Sequence, residues 1–172
     1  MDVLACLLRV QPGWKGAVWG NSYAGIKAHE LETREIPALA ELEAAWIEIA
    51  REQKKEAVNA LREEKITLGV PYTFPDGQSG TIQTRDEIDI RNIQTNVLNA
   101  MALTGQAVTL QFRDEADTTH EMTAEQMIAM GIAVGQRGSN IYIVSWAHKD
   151  AIDALTTAEE IEAYDFTTGW PG

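Results

Sequence analysis

Residues 108–127 read VTLQFRDEADTTHEMTAEQM, and this stretch decides the fold class. Val108 to Phe112 alternates in the manner of a strand with one covered face. Asp114 to Thr118 supplies polar turn residues, and Thr119 to Met122 predicts the returning strand. Thr123-Ala124-Glu125-Gln126 is then a capping box, in which a threonine hydroxyl and a glutamine amide three residues on satisfy backbone N–H groups at a helix start. A hairpin running straight into a helix is a building block of an α+β fold.

C-terminal to that stretch, Met127, Met130, Val134, Ile141, Val144, His148, Ile152 and Leu155 fall at helical intervals and predict one long helix. Gly135, Gly138, Ser139 and the β-rich run Ile141 to Val144 leave a kink or a strand open over residues 135–145, with helix favoured. Thr156 to Glu160 starts a last short helix, whose first turn places Glu159 and Glu160 at the positive end of the helix dipole. The tail from Tyr164 to Gly172 is expected to dock Phe166 and Trp170 back on its own domain.

N-terminal to it, Asp86 to about Thr104 predicts a helix with Ile90, Ile93, Val97 and Met101 on one face and Gly105 as its stop. Residues 67–85 carry Gly69, Pro71, Pro75, Asp76-Gly77 and Ser79-Gly80, the punctuation of a short strand pair. Pro37 to about Ile66 predicts one long helix with an apolar stripe of Leu39, Leu42, Trp46 and Ile49 that fades at Gln53 and Glu56. Val3 to Val10 is an apolar segment followed by a Pro12-Gly13 turn. Ala17 to Trp19 and Tyr23 to Ile26 then predict a hairpin around Gly20-Asn21-Ser22. The expected organisation is an N-terminal hairpin module over 1–36, a connecting helix over 37–66 and a C-terminal helical domain with short β-hairpins over 67–172.

Composition narrows the partners. The 172 residues hold Lys+Arg 14 against Asp+Glu 26, a net charge of −12, and the basic residues do not cluster. Repulsion from nucleic acid and from anionic membrane is therefore expected. Cys6 is the single cysteine, which excludes an intramolecular disulfide and a Cys-rich metal site and fits synthesis in a reducing cytoplasm. Val3 to Leu8 is too short to span a bilayer, and Asp2 and Arg9 do not suit a signal peptide.

No catalytic, cofactor-binding or metal-ligating residue is nominated. Gly77-Gln78-Ser79-Gly80-Thr81 lacks the Gly-Lys-Ser/Thr ending of a phosphate loop and reads as a turn. Asp114, Glu115, Asp117, His120 and Glu121 do not match calcium-loop spacing, and a solvated hairpin turn is favoured. His29, His120 and His148 form no zinc-hydrolase arrangement, and His148 is expected to pack or cap. Cys6 is expected to be buried and inert. The candidate protein-interface residues are Trp14, Trp19 and Tyr23, with Trp46 on the long helix. The competing reading, slightly favoured, makes the first three the hairpin module's own core.

An ordered series of segments carries a resemblance. It comprises Lys55 to Arg62 at the end of a charged helix, a Gly-containing strand pair, and Thr84-Arg85 before a helix with Asn92-Ile93. A strand and polar turn follow, then Met122 to Met127, and finally Lys149 to Ile161, the most specific segment. From about Arg51 to Asp165 the chain thereby resembles an uncharacterised domain found in tail-fibre and distal-tail proteins of tailed bacteriophages and prophages. Pro37 with Glu41 to Trp46 also resembles the front of tail-fibre-associated proteins. The chain departs from that pattern at Gln111-Phe112, where a tryptophan is usual, and in its Gly-rich residues 135–140.

The resemblance implies a non-catalytic tail part in repeated copies, with a trimer as one candidate number, made in the host cytoplasm and carried in the virion tail. It implies other tail or fibre proteins as partners, no cofactor, and either structural attachment or a chaperone role in fibre assembly. A tail-associated cell-wall hydrolase would need convergent carboxylates or a metal triad, and the sequence offers neither.

Overall fold

The computed structural model describes residues 1–28 and 34–171, so His29 lies outside the described residues. The apolar segment at the start is a helix, α1 (Val3–Val10), whose N-cap Asp2 accepts a hydrogen bond from the Ala5 N–H at 3.0 Å. Val3, Cys6 and Leu7 share its buried face at helical spacing. Two strands follow, β1 (Gly16–Val18) and β2 (Ile26–Ala28), paired antiparallel with Val18 opposite Ile26.

The second strand starts later than the sequence predicts, because Tyr23–Gly25 forms a 3-10 turn. The Gly25 N–H donates to the Ser22 carbonyl and the Trp19 N–H to the Gly25 carbonyl, both at 3.0 Å. These bonds close the loop so tightly that a Cβ on Gly25 would strike the Trp19 carbonyl. Gly20 and Asn21 both take positive φ there, as expected of a Gly-Asn pair in a tight turn. Asn21 uses the bend to accept from the Val3 N–H at 2.8 Å and to donate to the Met1 carbonyl at 3.0 Å.

The long helices are α2 (Leu39–Thr67) and α4 (Ala124–Ala154), and residues 135–145 are helical throughout. Packing divides the chain into two units, one of Met1–Val58 with His148–Phe166 and the other of Asn59–Ala147 with Thr167–Gly172. Two of the three breaks fall inside helices, one in α2 and one in α4. Along α2, Leu42, Ala45, Ala50 and Val58 are all buried. Leu39, expected in the stripe, is exposed.

In the first unit, Leu42 and Ala45 pack with Val3, Cys6, Leu7, Trp14 and Ile26, while Trp46 and Ile49 lie half-buried against that cluster. Where the apolar stripe fades, α2 turns to polar contacts. Arg51 donates to the Leu155 carbonyl at 2.9 Å, and Lys54 donates to the carbonyls of Glu162 at 2.7 Å and Tyr164 at 3.2 Å. Lys54 thereby places a cation on the end of α5 (Ala158–Ala163), where helix carbonyls lack backbone partners. The start of α5 is held by a reciprocal capping box between Thr157 and Glu160.

The second unit contains two more hairpins, β3 (Val70–Thr73) with β4 (Ser79–Ile82) and β5 (Leu110–Arg113) with β6 (Thr119–Met122), separated by α3 (Glu87–Ala102). Asp86 caps α3 by accepting from the N–H groups of Ile88 and Asp89. The buried line of α3 is Ile93 and Ala100 with Val97 packed beside them, whereas Met101, expected inside, is exposed. Val97 sits where a side chain on Gly131 would be, so α3 meets α4 closely and Ala100, not Met101, turns inward. The Thr123 capping box forms as expected, at 2.8 and 3.3 Å. Phe74, Ile82, Phe112, Met122, Met127 and Met130 fill the core between these elements.

Candidate functional site

The two hairpins of the second unit are copies of one backbone device. Their registers correspond, with Val70 opposite Ile82 and Thr73 opposite Ser79 in one, and Leu110 opposite Met122 and Arg113 opposite Thr119 in the other. In the first connection the Phe74 N–H donates to the Gln78 carbonyl at 2.8 Å and the Gly77 N–H to the Phe74 carbonyl at 2.9 Å. In the second, Asp114 donates to Thr118 at 3.0 Å and Asp117 to Asp114 at 3.1 Å. Gly77 and Asp117 occupy the equivalent positive-φ position, at 84° and 62°; aspartate is one of the few residues that tolerates it.

Phe74 and Asp114 are thus equivalent positions, as are Gly80 and His120. The structure brings all four together. The His120 ring stacks on Phe74 with centroids 3.6 Å apart and planes 5° from parallel. Opposite it, Gly80 lies so near the Asp114 carboxylate that a Cβ there would collide with it. The absence of a side chain on Gly80 makes room for what the other hairpin presents, and the Glu115 N–H joins the pair by donating to the Thr81 carbonyl at 2.9 Å.

His120 lies between two carboxylates. Its Nδ1 is 2.8 Å from Asp76 Oδ2, while its Nε2 is 3.4 Å from Asp114 Oδ2, an electrostatic contact without a well-formed hydrogen bond. The His120 side chain is 1% exposed, that of Asp114 4% and that of Asp76 32%, so the cluster closes inward from one accessible oxygen edge. A neutral imidazole has one N–H for the two acids; an imidazolium has two. Each carboxylate is also held by its own turn. The Gln78 N–H donates to Asp76 at 2.9 Å and the Thr118 N–H to Asp114 at 2.8 Å.

These contacts set the acidities. The Gln78 N–H, and next His120, hold the Asp76 carboxyl below the usual carboxylate range. Burial pushes Asp114 upward and is the largest single influence on it, but the Thr118 N–H, His120 and the Ala116 N–H together outweigh burial and leave it lowered. A carboxyl with a depressed folded-state pKa contributes stability that is present above its unfolded value, about 4, and is lost as pH falls through the folded value. The second unit is therefore expected to lose stability on acidification below about pH 4. Substituting both Asp76→Asn and Asp114→Asn should flatten that part of the profile, measured by urea unfolding across the acid range. An unchanged acid limb in the double variant would exclude the cluster as its source.

This arrangement corrects the expectation of a solvated turn: the turn forms as predicted, but Asp114 and His120 are buried. The signal was present in the alternation of β6, which puts His120 on the same inward face as Met122. What the sequence did not show was Asp76, supplied by the other hairpin. Chemically the cluster is a clasp. Its two acids sit at different ring nitrogens and so do not converge on one point, and among the described residues no group of three or more His, Cys, Asp or Glu is placed to hold a metal ion.

The remaining candidates separate. Trp14 is buried in the first unit's core, as the favoured of its two readings has it, with its ring lying over Gly16, which has no Cβ to obstruct it. Trp19 is 66% exposed. Tyr23 is at the margin of exposure and donates to the Pro37 carbonyl at 3.0 Å. Trp46 is half-buried beside that core. His148 packs against Tyr164, with Nδ1 2.8 Å from the phenol oxygen. Cys6 is buried, and desolvation raises its thiol pKa. No helix among the described residues is long and apolar enough to cross a membrane.

Paired hairpins clasped by a buried histidine, set among long helices, define this as a two-unit α+β chain. Residues 49–168 match the family model described as Domain of unknown function (DUF4376), and the chain belongs to that family. No curated protein and no solved structure matches the chain.

Proposed function

We propose that this protein is a non-catalytic component of a bacteriophage or prophage tail, acting in tail assembly or host attachment at the distal tail or fibre. The structural observation that supports an assembly role is on α4, which buries Met127, Met130 and Ile141 yet exposes Ile132, Ile143 and Trp146, each more than half accessible. A helix apolar on more than one side is normally covered on more than one side. The resemblance over Arg51 to Asp165 supports a tail as that assembly, with other tail or fibre proteins and further copies of the chain as partners. The clasp fits this reading, since a histidine held between two acids and stacked on phenylalanine stiffens a domain and leaves no ring nitrogen facing solvent.

Quantitative mass spectrometry of purified particles, scaled to the major tail-tube protein, tests the reading. A fixed small stoichiometry is the expected result. Absence from particles, together with a need for the protein during fibre attachment, would replace it with the second reading, a fibre-assembly chaperone that leaves before maturation.

A further inference from the structure

The second unit carries a concave surface whose chemistry differs from the rest of this acidic chain. A groove of about 290 Å³ is lined by Gln83, Asn92, Asn96 and Gln111, with Thr95 at its edge and Phe112 and Ile93 at its base. Asn92, Asn96 and Gln111 have no side-chain partner among the described residues. They therefore present paired donors and acceptors to whatever enters.

The groove is electrically balanced. Asp89, its one carboxylate, receives the Arg85 N–H at 3.0 Å and Nε at 3.1 Å on the same oxygen, Oδ2. Arg113, its one cation, stands 3.5 Å from Asp117. Arg85 also donates to Gln83 Oε1 at 2.6 Å, which fixes that amide and leaves its NH2 group as donor. A groove without net charge has little attraction for anions or cations, and one lined by amides is poorly suited to a wholly apolar ligand.

We infer that this groove binds a neutral polyhydroxylated ligand, a single saccharide ring. Vicinal hydroxyls both donate and accept, matching the planar amides of Asn92, Asn96 and Gln111 and the second oxygen of Asp89, while the C–H face of the ring settles on the edge of Phe112. The volume lies at the small end of ligand sites, roughly 300–1,000 Å³, as a single ring requires. The inference goes beyond the tail reading and stands on the groove alone, so each can fail without the other.

Nitrogen-15 NMR of the full chain observes the side-chain NH2 groups directly. Neutral hexoses, 6-deoxyhexoses and N-acetylhexosamines are titrated one at a time, with glycerol and inorganic phosphate as controls. At least one saccharide is expected to shift the NH2 signals of Asn92, Asn96 and Gln111 saturably, whereas glycerol and phosphate do not. The double variant Asn92→Ala, Asn96→Ala should bind about tenfold more weakly while keeping its thermal midpoint, because both residues are on the accessible side of α3. A second variant, Gln111→Ala, tests the strand side separately. Saturation by no saccharide, shifts outside the groove, affinity unchanged in both variants, or a response to phosphate alone would each overturn the assignment.

Discussion

His120→Ala is expected to lower stability by about 3–5 kcal/mol, read as a fall in the urea midpoint of the second unit. The magnitude follows from what is left behind. Asp114, with a 4% exposed side chain, would lose the ring nitrogen that faces it, and Phe74 would lose a parallel ring at 3.6 Å. Removing the ring leaves Asp114 with its backbone donors alone and opens a cavity against Phe74, and both changes destabilise the hairpin pair. His120→Phe separates the two effects, because it keeps a ring on Phe74 and removes both ring nitrogens. If the phenylalanine variant is as stable as the parent, the electrostatic account of the clasp is wrong and the ring contact alone holds the hairpins.

Phe74→Ala is expected to cost a similar amount, about 3–5 kcal/mol, through lost burial and the cavity left behind. Phe74 is 2% exposed and is the hub of the aromatic contacts, with Tyr72 at 5.2 Å edge-on, Phe112 at 6.0 Å stacked and His120 on its face. The two substitutions remove parts of one contact, so their effects should not add. A double-mutant cycle of Phe74→Ala with His120→Ala should give an interaction of at least about 0.5 kcal/mol. Strict additivity would mean that the stack carries no coupling.

The amide groove adds a second feature of the same unit that depends on these hairpins. Phe112 forms both the base of the groove and a neighbour of Phe74, and Arg113 at the rim closes back on the Asp117 carbonyl at 3.0 Å. A variant that loosens the hairpin pair is therefore a poor test of binding. The amides of Asn92 and Asn96 on α3 and of Gln111 on β5 are the better probes.

Much of the architecture was legible in residue order. The period-two alternation of β5 and β6, the capping boxes at Thr123 and Thr157, and the turn residues at Asp76-Gly77 each act within a few residues and gave hairpins and helix starts where they were expected. The errors arose where packing chose between equivalent local solutions. The inner line of α3 falls on Ala100 and not Met101, because Gly131 lets Val97 approach closely and sets the rotation of the helix. Of the two readings open for Trp14, packing selects the favoured one, the core, because Gly16 leaves room for its ring.

Residue order specifies the α+β class, the hairpin positions and the helix caps, because backbone dihedrals and neighbouring side chains decide them locally. Long-range packing is what brings Asp76 to His120 across 44 residues, sets Gly80 where it makes room for Asp114, and lines one groove with four amides. Those juxtapositions depend on how one hairpin lies on another, a long-range arrangement set by shape and burial that leaves no periodic trace in the chain.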